Sequence, residues 1–238
     1  MNRFPYNTMF EVGERLVDHH TITRIMGNHL SEKRQGAIEH VLPERTFSIT
    51  AVCDNIYDVG NVAAVMRSAE AMGIQSFHVI TRNDRVKTSK RITAGTDKWL
   101  DINRWDGPAG CVSHLRERGY QIVATQLSDD CVSIDEIDFT RPTAIVFGNE
   151  HAGVSPDLLE EADARCIIPM RGFAESFNIS VAAAVAFYHI ASARDEALES
   201  GHGDLTELER DILRAELFLR ASKTSASIID AKLSEEGL

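Results

Sequence analysis

FSITAVCDNIYDVGNVAAVMRSAEAMGIQSFHVIT (Phe47–Thr81) decides the fold. Its first seven residues, Phe47–Cys53, are almost all apolar or β-branched, as in a strand buried on both faces. From Asn61 the apolar spacing becomes helical: Val62, Val65, Met66, Ala69 and Met72 share one stripe, and Gly73 supplies a stop. A second strand, Ser76–Thr81, follows at once. Strand, helix and strand in immediate succession make a βαβ unit, and such units build parallel sheets.

Working outward, the alternation continues. A helix is expected near 108–119, ended by Gly119. Strands follow at 121–127 (QIVATQL), 143–148 (TAIVFG) and 164–170 (ARCIIPM). SPDLLEEAD (155–163) opens with a good helix-start pair, Ser155-Pro156. A strong helix spans 179–198, and LTELERDILRAELFLRASK (205–223) is an amphipathic tail helix. Upstream, SEKRQGAIEHVL (31–42) reads as a short helix capped by Ser31, and residues 1–30 as one or two helices of loose period. The expected organisation is an N-terminal helical extension (1–30), an α/β domain with a mainly parallel sheet and helices on both faces (31–200), and a C-terminal helix and tail (201–238). Ligands in such sheets bind beyond the carboxyl ends of the strands, here at loops 54–61, 81–98, 148–154 and 169–178.

The formal net charge of -11 counts against a generally basic nucleic-acid binder. The charge is uneven, however. Residues 1–108 carry 14 Lys/Arg and 13 Asp/Glu, and the segment 82–98 holds six cations (Arg82, Arg85, Lys87, Lys90, Arg91, Lys98) against Asp84 and Asp97. Cys53, Cys111, Cys131 and Cys166 form no CxxC pair and read as reduced thiols, and the histidines show no metal spacing. The opening stretch has no apolar signal region and no run is long enough to span a membrane, so a cytoplasmic protein without a membrane partner is expected.

Three ligand-side loops carry polar groups. In the first, Asn61 stands at a helix entry as a candidate cap, with Ala64 and Arg67 following along a ridge. On this segment alone, a capped amphipathic helix with a solvated Arg is the better reading. In the second, AIVFGNEHAG ends a strand in Gly148-Asn149-Glu150; glycine permits close backbone approach by a ligand, and a plain turn is the alternative. The third, CIIPMRGFAESFNISVAAAV, sets Glu175, Ser176 and Asn178 before a helix that needs only one cap, with Phe177 placed to cover a flat ring.

Together, Asn61…Arg67…Gly73, then FGNEHAG (147–153), then IPM (168–170)…SFNISVA (176–182) resemble, in order, the three motifs of the SpoU (TrmH-type) branch of the SPOUT RNA ribose methyltransferases. The resemblance covers about residues 31–220, with Phe177 in place of the usual Leu. ATQLSDD…DEIDFTRPTAIVFG and AGTDKWLDI are similar to the group acting at guanosine 18 of tRNA.

The resemblance implies a C-terminal trefoil knot at about 143–198 and a homodimer with knots packed together. It implies S-adenosylmethionine as cofactor, at a pocket including Thr125, Gly148, Ile168 and Phe177, and methyl transfer to a ribose 2′-hydroxyl. It assigns catalysis to Asn61, Arg67, Glu150, Ser176 and Asn178, with Asn61 and Glu150 orienting Arg67 and the ribose. The cations of 82–98 become candidates for tracking RNA phosphates. Other targets, in rRNA or at the tRNA wobble nucleotide, stay open, as does a catalytically silent RNA-binding protein of the same fold. A nucleotide-binding oxidoreductase is excluded, since no GxGxxG follows the first strand.

Overall fold

The computed structural model of the chain describes residues 3–81, 95–128 and 130–237. In chain order its elements are β1 (Met9–Val12), β2 (Arg15–Asp18), α1 (His19–Gly27), α2 (Glu32–Val41), β3 (Thr46–Asp54), α3 (Val59–Ala71), β4 (Ile74–Ile80) and β5 (Asp101–Trp105). They continue with α4 (Pro108–Glu117), β6 (Gln121–Thr125), β7 (Val132–Ser133), β8 (Thr143–Phe147), α5 (Pro156–Glu160), β9 (Ala164–Ile167), α6 (Ile179–Ala197), α7 (Glu207–Ala221) and α8 (Ser225–Glu235).

The chain divides into two compact units, one built on Thr46–Gly203 and the other on Phe4–Arg45 with Asp204–Leu238. The boundaries expected at 30/31 and 200/201 therefore give way to 45/46 and 203/204. In the second unit, α1 packs against α7 and α8, and α2 against α7, so the two ends of the chain form one small core. Ile22, Ile25, Met26, Leu213, Leu217 and Ile229 are buried there. Residues 1–30 do not form two helices. Met9–Val12 buries alternate residues, Phe10 and Val12, and Gly13 turns at φ +64°, which makes a hairpin before the single helix α1. Ser31 does cap α2, accepting from the Arg34 N–H.

The first unit is a seven-stranded sheet of order β5-β4-β3-β8-β6-β9-β7, with every pairing parallel. β3, β4 and β8 are buried along their whole length, which explains their unbroken apolar runs. One face packs against α3 and α6, where Met66, Phe77, Phe147 and Phe187 share a core; the Phe147 and Phe187 rings meet edge to face at 5.5 Å. The other face packs against α4 and α5 through Cys111, Leu115 and Leu158. Burying each large apolar side chain stabilises the fold by about 1.5–3 kcal/mol. β5 has no counterpart in the expectations because the edge strand DINRW mixes Asp, Asn and Arg with Ile and Trp and shows neither strand pattern clearly. The short parallel strand β7 and the last helix α8 were likewise not anticipated. The cysteines are all free.

Candidate active site

The β3–α3 loop leaves the sheet at Asp54. Asn55 follows in the left-handed region at φ +51°, a conformation that Asn tolerates better than most side chains. Both of its backbone groups are tied: its N–H donates to the Ile80 carbonyl (2.9 Å), and its carbonyl accepts from Asn149 Nδ2 (2.9 Å). Ile56 is buried in the core. Asp58, not Asn61, caps α3, accepting from the Gly60 N–H at 2.7 Å. That frees the Asn61 amide for other work.

The β8–α5 loop is a closed turn. Asn149 and Gly153 exchange two backbone hydrogen bonds of 2.8 Å, and Asn149 Oδ1 accepts from the N–H groups of His151 and Ala152. A Cβ on Gly148 would lie 2.1 Å from the Gly153 carbonyl carbon and the Val154 nitrogen. The turn's own backbone therefore demands glycine there, whether or not a ligand approaches. His151 is exposed.

Glu150 projects from this turn onto the neighbouring loop. Its Oε1 accepts from Asn61 Nδ2 (2.7 Å) and its Oε2 from the Tyr57 N–H (3.2 Å). Partial burial pushes its carboxyl upward, but the bonds from Asn61 and from nearby backbone N–H groups outweigh this and hold it below the usual carboxylate value. Glu150 is an ionised acceptor.

The third loop joins at the start of α6. Asn178 caps the helix, its Oδ1 accepting from the N–H (2.9 Å) and hydroxyl (2.5 Å) of Ser180. Its Nδ2 reaches Asn61 Oδ1 at 3.5 Å. Glu150, Asn61 and Asn178 thus form one hydrogen-bonded chain that links the β8–α5 turn to the first turn of α3 and the start of α6 at the carboxyl edge of the sheet.

The other expected residues fall less uniformly. Ser176 is exposed and does not cap α6. Arg67 is exposed two turns along α3 and makes no hydrogen bond or ion pair with the described residues. Asn61 and Glu150 bond each other, and neither bonds Arg67. Six residues of α-helix carry Arg67 about 9 Å along the axis from Asn61. Lys98 is exposed, its Nζ 4.3 Å from the centre of the Trp99 ring. Arg82, Arg85, Lys87, Lys90 and Arg91 lie outside the described residues. Thr125 Oγ1 donates to the Val146 carbonyl at 2.8 Å, Ile168 is half-buried and Phe177 exposed.

This ordered set of polar loops has a counterpart among known proteins: the SpoU rRNA methylase family profile matches residues 48–188. The chain belongs to the SpoU methylase family. Among the relatives of this SpoU chain is the tRNA (guanosine(18)-2′-O)-methyltransferase of Aquifex aeolicus, 36% identical over 179 residues, covering 75% of this chain and 85% of that protein. The crystal structure of the A. aeolicus TrmH/SpoU tRNA modifying enzyme superimposes with a TM-score of 0.71 at 34% identity, covering 81% of this chain and 98% of that one. The SpoU methyltransferase AviRb from Streptomyces viridochromogenes, solved in complex with AdoMet, has a TM-score of 0.56 at 27% identity, covering 65% and 61%.

The SpoU chain has surface suited to that cofactor. Among the described residues, 169–177 make no hydrogen bonds, so their backbone N–H and C=O groups are open to the polar edges of a ligand. Ile168, Phe177 and the exposed Leu127 supply apolar surface at the same sheet edge. Thr125 cannot offer its hydroxyl proton without giving up Val146. Three residues of the polar cluster escape sequence reasoning: Asn55, Tyr57 and Asn149. Asn149 sits inside the second motif, but its clamp on Asn55 spans 94 residues and has no local signature.

Proposed function

We propose that this SpoU chain methylates the ribose 2′-hydroxyl of guanosine 18 in tRNA, with S-adenosylmethionine as methyl donor. The observation that carries the reading is the Glu150–Asn61–Asn178 chain, which joins the three motifs at the sheet edge where such folds bind ligands. The described relative that acts at guanosine 18 aligns along three quarters of this chain.

S-adenosylmethionine supplies a methyl group activated by a sulfonium. The protein must place the sugar oxygen in line with that methyl and manage its proton. Residues 168–177, Gly148 and Thr125 hold the cofactor through backbone and apolar contacts. Asn61 and the Glu150 carboxylate fix the ribose, and because they already bond each other they need little ordering when it arrives. Arg67 points to solvent and meets the RNA: it grips the adjoining phosphate and stabilises the oxygen as negative charge develops. A guanidinium with a pKa above ~12 is a reluctant base, so charge stabilisation is the role assigned. Ser176 shapes the turn before α6.

The protein works as a homodimer in the cytoplasm. Val181, Val185 and Tyr188 form an exposed stripe along α6, apolar enough to ask for a partner surface. Segment 143–198 forms the trefoil knot; the insertion of β8 between β3 and β6 fits that path. The cations of 82–98 follow the RNA backbone. No helix among the described residues is long and apolar enough to cross a membrane.

The test is a map of ribose methylation on tRNA and rRNA incubated with the protein and S-adenosylmethionine. A single new 2′-O-methyl at guanosine 18 is expected. Methylation of the wobble nucleotide or of rRNA would overturn the target, and absence of transfer to any RNA would overturn the enzyme.

A further inference from the structure

Tyr57 is the large side chain of the site region that sequence motifs leave unassigned. The residue is 84% exposed, and among the described residues its ring stacks on no other ring and its hydroxyl bonds to nothing. Its mount is the reverse of loose. On one side Ile56 is buried at 3% exposure, and Asn55 before it is held by Ile80 and Asn149. On the other side Asp58 is locked as the cap of α3. The N–H of Tyr57 itself donates to Glu150.

The other exposed aromatic residues of this unit differ. Phe173 and Phe177 sit in the loop with no hydrogen-bonded backbone, and Tyr188 belongs to the α6 stripe. Tyr57 combines a solvent-facing side chain with a backbone fixed on both flanks beside the polar cluster, whereas Tyr188 stands along a helix in an apolar stripe. Tyr57 has only its side-chain torsions left to order on binding, which keeps the entropic cost of contact low.

We infer that Tyr57 is a nucleobase-stacking residue, its ring taking the base of the nucleotide whose ribose is methylated. The inference rests on the functional reading above. The Tyr57 N–H and the Asn61 amide meet on one carboxylate, so a ribose gripped there carries its base past the ring. RNA is read mainly through unstacked bases laid against aromatic faces, and a purine offers the largest face. A stacking partner positions any base; it confers a preference for purines without a hydrogen-bond code.

The test compares the full-length wild-type protein with Tyr57→Ala, Tyr57→Phe and Tyr57→Trp. For Tyr57→Ala, kcat/KM for tRNA falls about tenfold to a hundredfold, mainly through KM. Affinity for S-adenosylmethionine, melting temperature and oligomeric mass stay unchanged, and Phe and Trp restore the wild-type constants to within about threefold, since the face is kept. Wild-type constants for Tyr57→Ala overturn the inference. So does a Phe variant as weak as Ala, which would assign the hydroxyl instead, or a change in oligomeric mass, which would assign the ring to a protein interface. Fluorescence anisotropy of labelled tRNA on the same panel needs no turnover: if the wild-type protein methylates no RNA, the functional reading falls, while weaker binding by the Ala variant still supports the stack and equal binding sinks it. If another RNA is the substrate, the same ratios measured on it judge the ring.

Discussion

The sheet unit carries two polar clusters with opposite electrostatics. At the carboxyl edge, Glu150 is partly solvated and held ionised by donors from Asn61 and Tyr57. Between β4, β5 and α4, His78 is buried beneath Trp105 and His114. Trp105 Nε1, which can only donate, meets His78 Nδ1 at 3.0 Å; the imidazole proton therefore sits on Nε2 and faces Ser76 Oγ at 3.2 Å. Burial, with the nearby His114 and Arg118, pushes the His78 pKa down to about 3. Both nitrogens are satisfied in the neutral form, and a proton on Nδ1 would confront the Trp105 N–H. The closed cluster secures the fold. The open cluster keeps donors and acceptors facing solvent, where a substrate can use them.

The comparison can be broken most severely at Gly148. In Gly148→Ala the new Cβ meets backbone that cannot yield, so the turn carrying Glu150 is lost. Methyl transfer should become undetectable, and denaturation should show a loss of about 3 kcal/mol or more. An Ala variant with wild-type stability and rate would show that the turn does not hold the site. Next, Arg67→Ala should lower methyl transfer by about a hundredfold to a thousandfold. Equilibrium dialysis should find cofactor affinity nearly intact, because the exposed Arg67 is proposed to meet the RNA and not the cofactor. Collapse of that affinity, with turnover of bound cofactor preserved, would reverse the assignment.

Glu150→Gln keeps the shape of the cluster and removes its charge. About a tenfold drop in kcat is expected, with little change in thermal stability, as hydrogen bonds to an ionised acceptor are stronger than to an amide. An unchanged kcat would mean that the ionised state is incidental. The smallest effect tests the closed cluster. The folded pKa of His78 lies below its unfolded value of 6.5, so its contribution is fully present above pH 6.5 and is lost as pH falls toward 3. Unfolding free energy should drop by about 1.4 kcal/mol per pH unit in that window from this group alone. His78→Gln can still accept from Trp105 but cannot titrate, so chemical denaturation at pH 6 and pH 5 should show a shallower slope. An equal slope in both proteins would remove His78 from the acid response.

Much of this was legible in the chain itself. The β3–α3–β4 unit follows from the apolar spacing of Phe47–Thr81, and the strand ends at Asp54, Phe147 and Ile167 fall close to their expected places. Asn61, Glu150 and Asn178 were candidates from residue type and position, and the structure brings all three together. Cap assignment was harder. Several polar residues before a helix compete for one role, and the winners, Asp58 and Asn178, are decided by which backbone N–H each can reach. The hairpin at Met9–Val12 was hidden because a four-residue strand offers too few positions to separate period two from period 3.6.

By itself the sequence determined the alternation of strands and helices, the loops that leave the carboxyl edge and the residue types available in them, because spacing and propensity act over a few residues. Only the tertiary structure decided that Asn149 holds Asn55, that Glu150 takes donors from Asn61 and Tyr57, and that both chain ends share one core. Those contacts join segments brought side by side by strand order and register, and no local pattern encodes which distant donor will reach a given acceptor.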